Sequence, residues 1–237
     1  MKGFGVAGLR LTVVEAFDIP DAWHRCLELC LKDGYEYTVQ RGSFVGHKRK
    51  ELDSVLIYIK RPGNLPLVPE VPQGVPPPTD MEYVNRYLAY LFTPEKKEGE
   101  EYTYGERLTG TGVNQVEEAI KILRETPETN QACMEIGMPS DILLSDPPCI
   151  RLIDCRVRYG TLHFHIYLRS WDAWGGLPAN LAALQLLKEY MAKKIGVEDG
   201  SLSAWSKGLH IYSHHYRWAE MVLNQKTERI WHRKWLI

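Results

Sequence analysis

The residues with the most reactive chemistry gather towards the C-terminus. Pro147-Pro148-Cys149 sets a thiol after two prolines at the mouth of a strand, and the fixed proline φ angles constrain how the backbone approaches. Arg169-Ser170, Asp172, Gly175-Gly176, Pro178 and Asn180 follow, and His210-Ile211-Tyr212 lies downstream. A thiol attacks only as the thiolate, which nearby positive charge favours. A guanidinium takes phosphate oxygens through paired N–H donors. A carboxamide offers a donor and an acceptor side by side. His210 and Tyr212, two apart on a strand, point to one face. Each residue also has a plainer reading. A lone cysteine is usually a packing residue, an arginine at a strand end a surface charge, an asparagine a helix cap, and Gly-Gly a turn.

These residues need elements to position them. Residues 149–157 and 161–169 read as strands joined by Arg158-Tyr159-Gly160. The second alternates Leu162, Phe164, Ile166 and Leu168 with His163, His165, Tyr167 and Arg169. Residues 180–194 form a strong helical pattern with Asn180 at its N-terminus, 209–212 a short strand, and 216–224 a helix. Upstream, residues 5–16 and 54–60 read as strands. Helices are expected from Pro20 to about Asp33-Gly34, over 81–92 and over 113–125. Residues 40–51 form a polar, basic stretch. Seven of the 14 prolines fall within 61–79, which excludes a helix or central strand there. We read that segment as an ordered loop inside a single domain spanning 1–237.

Composition sets the wider bounds. With 44% hydrophobic and 25% charged residues the chain is globular rather than disordered or fibrous. Twenty-nine basic against 30 acidic residues give a net charge of -1, so no basic excess suggests nucleic-acid binding. No apolar run is long enough to cross a membrane. The N-terminus makes a poor signal peptide, and a cytoplasmic location is expected. The five cysteines form no C-x-x-C pair and suit a reduced chain, with Cys26 and Cys30 on one face of a helix. His163 and His165 lack a third ligand at sensible spacing, so no metal site is expected.

Taken together, Pro148-Cys149, Arg169-Ser170-Trp171-Asp172, Gly176-Leu177-Pro178-Ala179-Asn180 and His210-Ile211-Tyr212 resemble the thymidylate synthase family, which includes pyrimidine nucleotide hydroxymethylases of the same fold. The family's Pro-Cys nucleophile, Arg-Ser-x-Asp, Gly-x-Pro-x-Asn and His-x-Tyr segments all find a match. Tyr104-Gly105 and Leu65-Pro66-Leu67 look like two further family segments. The resemblance is strong over residues 102–216, and the chain looks most like the compact archaeal-type members. It implies an α+β, three-layer fold, a mixed β-sheet covered by helices, with one sheet face forming a homodimer interface. It also implies reductive methylation of dUMP to dTMP. The cofactor would be 5,10-methylenetetrahydrofolate or a related methylene-tetrahydropterin.

By this resemblance Cys149 adds to C6 of the pyrimidine, and Tyr104 sits near the C5 proton in a water-linked network. Arg169 and Ser170 bind the 5'-phosphate, Asn180 reads the base, and His210 and Tyr212 hold the ribose. Asp172 bonds the pterin, with Gly176 beside it. Asn180 favours uracil, because family members acting on cytosine tend to carry Asp there.

Several positions depart from the family. Asn130-Gln131 stands where two adjacent arginines usually come from the other subunit. Arg41 is our candidate replacement on the phosphate, with Lys48 and Arg49 as competitors. Ile150 follows the nucleophile where many synthases have His. Arg86 aligns with the family's proton-organising glutamate, so Glu82, one turn away, is taken for that role. The closing C-terminal tail is not recognisable in residues 232–237. These departures leave two alternatives: a C5-hydroxymethylase acting on dUMP, dCMP or CMP, or a nucleotide-binding relative without catalysis.

Overall fold

The computed structural model describes residues 8–233, and side chains as far as Asn224. The first residues of the expected 5–16 strand and the segment 232–237 lie outside what is described at side-chain level. Six strands stand in one sheet in the order β1 (Leu11–Ala16), β4 (Ser54–Ile59), β9 (Glu198–Ser206), β7 (Thr161–Leu168), β6 (Ile150–Arg158) and β5 (Cys133–Glu135). Parallel pairs β1–β4 and β7–β9 alternate with antiparallel ones, so the sheet is mixed, as expected.

Period-two alternation drives its inner face into the core. Val14, Val55, Ile57, Ile153, Cys155, Phe164, Ile166 and Leu202 are all buried. Helices α1 (Ile19–Asp33), α3 (Gln115–Glu125) and α4 (Gly176–Ile195) cover that face. Helix α4 buries Leu177, Leu181, Ala182, Leu184, Leu187 and Met191, which lie on more than one side of it, and that suits a central rather than a surface helix. Cys26 and Cys30 are packing residues on α1, and burial pushes both thiols well above their ordinary range. The outer sheet face instead exposes Leu11, Val13, Leu56, Tyr58 and Trp205.

A second sheet carries the order β2 (Tyr35–Thr38), β3 (Lys48–Leu52), β10 (Leu209–Tyr212) and β8 (Trp171–Asp172). Strand β3 occupies part of the polar stretch at 40–51. Its antiparallel register with β10 sets Arg49 opposite Tyr212 and Glu51 opposite His210. Two of the charges along β3, Arg49 and Glu51, line a cavity.

Helix α4 begins at Gly176, four residues before the expected start. The Asp172 carboxylate accepts from the N–H groups of Trp174, Gly175 and Gly176 at 3.2, 2.9 and 3.2 Å. That satisfies donors at the helix start and leaves Asn180 in the second turn instead of at the cap. Pro178 falls in the first turn, where a missing N–H costs nothing. Helix α2 (Met81–Leu91) is capped by Asp80, which accepts from Tyr83 N at 2.7 Å. It turns Val84, Tyr87, Leu88 and Leu91 inward, at helical spacing. Gly105 lies against its C-terminal end, where a Cβ would stand 2.2 Å from the carbonyls of Tyr90 and Thr93. Only glycine lets the backbone beside Tyr104 come so close. The proline-rich segment forms no helix or strand, and Leu67 and Val75 pin it to the core. Helix α5 (Tyr216–Arg233) continues beyond the expected 224.

Candidate active site

The two sheets converge on a cavity of about 590 Å³ between β10, the start of β6 and the loop joining β2 to β3. Cys149, Arg169, Ser170, Asp172, His210, Tyr212 and Arg41 all line it. Residues spread across 170 positions of sequence thus meet at one opening, and its volume suits a small-molecule site.

Cys149 sits immediately before β6. Its carbonyl accepts from Arg169 N at 2.8 Å, which ties the mouth of β6 to the end of β7. The turn ahead of it, Pro139–Leu143, is anchored by Asp141. That buried carboxylate takes Arg107 and Arg151, each at 2.7 Å. The Arg169 guanidinium donates through Nε to Pro147 O at 2.9 Å and through Nη2 to Asp146 Oδ1 at 2.6 Å. It therefore lies beside the thiol while already holding a carboxylate. The other Asp146 oxygen accepts from Ser43 Oγ, and Arg41 donates to Leu144 O at 3.0 Å. These two bonds join the β2–β3 loop to the loop before β6 across the cavity mouth. Gly42, at φ +88°, makes the turn this requires.

The thiol's surroundings are mixed. Burial pushes the Cys149 pKa up, Arg169 and Arg49 pull it down, and Asp146 and Asp172 push it up again; the net direction is upward. Asp146 thus opposes the guanidinium it holds.

His210 is buried and neutral. Burial, then the neighbouring Arg49, hold its pKa down to about 4. Its Nδ1 lies 2.9 Å from Gly208 O. A carbonyl only accepts, so Nδ1 carries the hydrogen and Nε2 is left as a bare acceptor. Nε2 has no partner among the described residues. Tyr212 belongs to an aromatic wall, with Phe44 at 4.8 Å and His214 at 5.6 Å between ring centroids. Asp172 reaches the cavity with its oxygens already taking three backbone N–H groups, which leaves about one of a carboxylate's four acceptor positions.

Asn180 and Tyr104 do not line this cavity but form a polar network behind Cys149. Tyr104 Oη accepts from Ile150 N at 3.4 Å. Its ring lies 6.2 Å from that of Tyr87. Tyr87 Oη accepts from Asn180 Nδ2 at 3.1 Å, and Trp171 Nε1 donates to Asn180 Oδ1 at 3.0 Å. Gly176 is the first residue of α4 and donates to Asp172.

Glu82 is not brought to the site, which corrects the expectation for it. It stands on the outer face of α2, 80% exposed and paired with Arg86. The α2 position that faces the site is Tyr87. Sequence reasoning singled out neither Tyr87 nor Asp146, Glu51 or Phe44, and it weighed Arg49 only as a competitor. The strand signal that would have found Arg49 and Glu51 is masked by the basic run Lys48-Arg49-Lys50. Asn130 and Gln131 are exposed, ahead of β5. His163 bonds Ser201 Oγ and Thr161 Oγ1 within the protein.

Comparison with known proteins bears on this arrangement. The family model described as thymidylate synthase matches residues 81–232. A Methanosarcina acetivorans protein named "Putative thymidylate synthase" is 31% identical over 214 residues, covering 89% of this chain and 94% of its own. Proteins of the same name from Methanosarcina mazei and Methanothermobacter thermautotrophicus are 32% and 31% identical, each over 89% of this chain and over 94% and 97% of their own. The matched region contains every residue that lines the cavity from the β6 side. A cysteine, an arginine and a His-x-Tyr strand on one cavity, within a mixed α+β fold and with this similarity, make the chain a member of the thymidylate synthase family.

Proposed function

We propose that residues 1–237 act as one domain that converts dUMP to dTMP through a covalent bond between Cys149 and C6 of the base. The observation that carries this reading is a thiol opening onto a cavity that also holds three arginines, Arg41, Arg49 and Arg169. Three guanidiniums around one opening suit a phosphate dianion. They also offer a replacement for the arginine pair absent at Asn130-Gln131.

The chemistry follows from the uracil ring. Its C5 is a poor nucleophile until a thiolate adds to C6, which moves an electron pair onto C5 and O4. Cys149 supplies that sulfur, with its proton passing to solvent or a nearby base. Arg169, Arg41 and Ser170 bind the 5'-phosphate and fix the ring against the sulfur. His210 Nε2 accepts from the ribose 3'-hydroxyl, and Tyr212 bonds the same group. Asn180, one layer behind the cavity lining, meets O4 and N3–H of a ring that inserts past Cys149. Tyr104, behind Cys149, sits where it can guide a water to the C5 proton. Expulsion of the Cys149 thiolate from C6 ends the reaction.

A methylene-tetrahydropterin, when bound, supplies the one-carbon unit and the hydride. The residues present suit such a group: the free acceptor position on Asp172 fits a ring N–H, and Phe44, Tyr212, His214 and His215 present flat faces for stacking. The exposed apolar residues of the outer sheet face, including Val13, Leu56, Tyr58 and Trp205, support a homodimer.

The test is release of tritium from C5-labelled dUMP in the presence of methylenetetrahydrofolate, together with identification of the product. Release with dTMP formation is expected, and Cys149→Ala abolishes both while still binding dUMP. Release with only a hydroxymethyl product would replace the synthase reading by the hydroxymethylase one. Absence of release in the wild-type chain would leave nucleotide binding alone.

A further inference from the structure

The hydrogen bonds around Asn180 fix something that its residue type does not. A carboxamide presents a donor and an acceptor, and rotation by 180° exchanges them. Uracil offers an N3–H donor beside the O4 acceptor, whereas cytosine offers an N3 acceptor beside an amino donor. An asparagine free to turn over therefore matches either base. Choice requires that something hold the amide one way round.

Trp171 is placed to do so. Its indole Nε1 donates to Asn180 Oδ1 at 3.0 Å, and an indole N–H can only donate. Trp171 is 2% exposed, so its indole N–H is costly to leave unpaired. Its backbone is fixed as well, since Trp171 N donates to Gly208 O at 3.0 Å and β8 pairs with β10. If the amide turned over, its NH2 would face the indole N–H and two buried donors would go unpaired. Tyr87 plays a different part. Its hydroxyl takes Asn180 Nδ2 at 3.1 Å, but a phenol both donates and accepts and so tolerates either orientation. With both bonds made, the amide keeps one N–H and one oxygen lone pair for a ligand in a single fixed order, and a fixed order can match only one of the two bases.

We infer that Trp171 is the positioning residue that makes this site choose uracil over cytosine, acting through the orientation of Asn180. The inference rests on the proposed reading that Asn180 meets the base.

The experiment compares binding of dUMP and dCMP by isothermal titration calorimetry in the wild-type chain, Trp171→Phe and Tyr87→Phe. The wild-type chain is expected to prefer dUMP. Trp171→Phe reduces that preference by roughly tenfold, chiefly by admitting dCMP, because the penalty for the turned-over amide disappears. Tyr87→Phe weakens both nucleotides and keeps their ratio, whereas a merely structural role for the cluster would leave the ratio unmoved in Trp171→Phe as well. If the wild-type chain prefers dUMP and Trp171→Phe keeps the ratio within about twofold, the inference fails while the proposed function stands. If the wild-type chain binds both alike, the reading of Asn180 as the base contact fails first. Should Trp171→Phe lose the wild-type circular dichroism spectrum, a benzothiophene analogue at Trp171 replaces the N–H by sulfur at nearly constant volume. The same two outcomes then decide.

Discussion

At position 146 a carboxylate holds the guanidinium to which we assign the nucleotide phosphate. Asp146 engages Arg169 at 2.6 Å and raises the Cys149 thiol pKa. An incoming phosphate competes with it for the same N–H donors, and a substitution that removes the carboxylate's charge favours the thiolate. Asp146→Asn is therefore expected to bind dUMP about three- to tenfold tighter, the scale of one exposed charge-assisted bond. It should also shift the pH profile of Cys149 alkylation by iodoacetamide to lower pH. The sign follows from charge: removing a nearby anion favours the thiolate. An unchanged alkylation profile would show that Asp146 does not govern the sulfur. Cys149, Arg169, Ser170, Asp172, His210 and Tyr212 are legible in the sequence because their spacing is carried by strands and tight turns. Asp146 and Phe44 are not, because an isolated acid or aromatic in a loop carries no periodic signal, and Glu51 is not because the basic run Lys48-Arg49-Lys50 masks its strand.

Strand β9 lies in the middle of the larger sheet, between β4 and β7, yet nothing in residues 198–206 reads strongly as a strand. Glu198-Asp199-Gly200-Ser201 has turn composition, and only Leu202, Ala204 and Ser206 alternate inward. Partners on both sides supply what local propensity lacks. Strands β6 and β7 are the opposite case, long and regularly alternating, and the sequence placed both within a residue or two. The start of α4 was misplaced for a third reason: its capping carboxylate belongs to Asp172, outside the helix, and the better-looking cap, Asn180, is occupied by Trp171 and Tyr87. At this scale the Asp141 anchor gives a direct expectation. Asp141→Asn leaves Arg107 and Arg151 without a charged partner beside the turn that leads to Cys149. A loss of roughly 3 kcal/mol is expected from urea unfolding, the scale for breaking a buried ion pair from one side. A loss below about 1 kcal/mol would mean that solvent reaches the two arginines.

For the whole molecule, the sheet has one face packed under helices and one face exposing Leu11, Val13, Leu56, Tyr58 and Trp205. An open apolar sheet face is an association surface. Sedimentation velocity is expected to report a dimer, and Leu56→Glu, placing a charge between Val13 and Trp205 on that face, should yield a monomer at micromolar concentration. A wild-type chain that sediments as a monomer would assign that face to some other partner. The mixed fold as a whole was legible from motifs that match the thymidylate synthase family, whereas the open apolar face was not, because Val13, Leu56 and Trp205 meet only through strand register.

Trp205 adds a consequence of its own. Half of its surface meets solvent, while Trp23, Trp171 and Trp174 are almost wholly enclosed. With Trp218, Trp231 and Trp235 replaced by Phe, its indole therefore acts as a built-in optical reporter of the outer sheet. Quenching by iodide reaches it when that side is bare and fades once a second layer shields it. Dilution of the unlabelled protein can thus be followed by fluorescence alone.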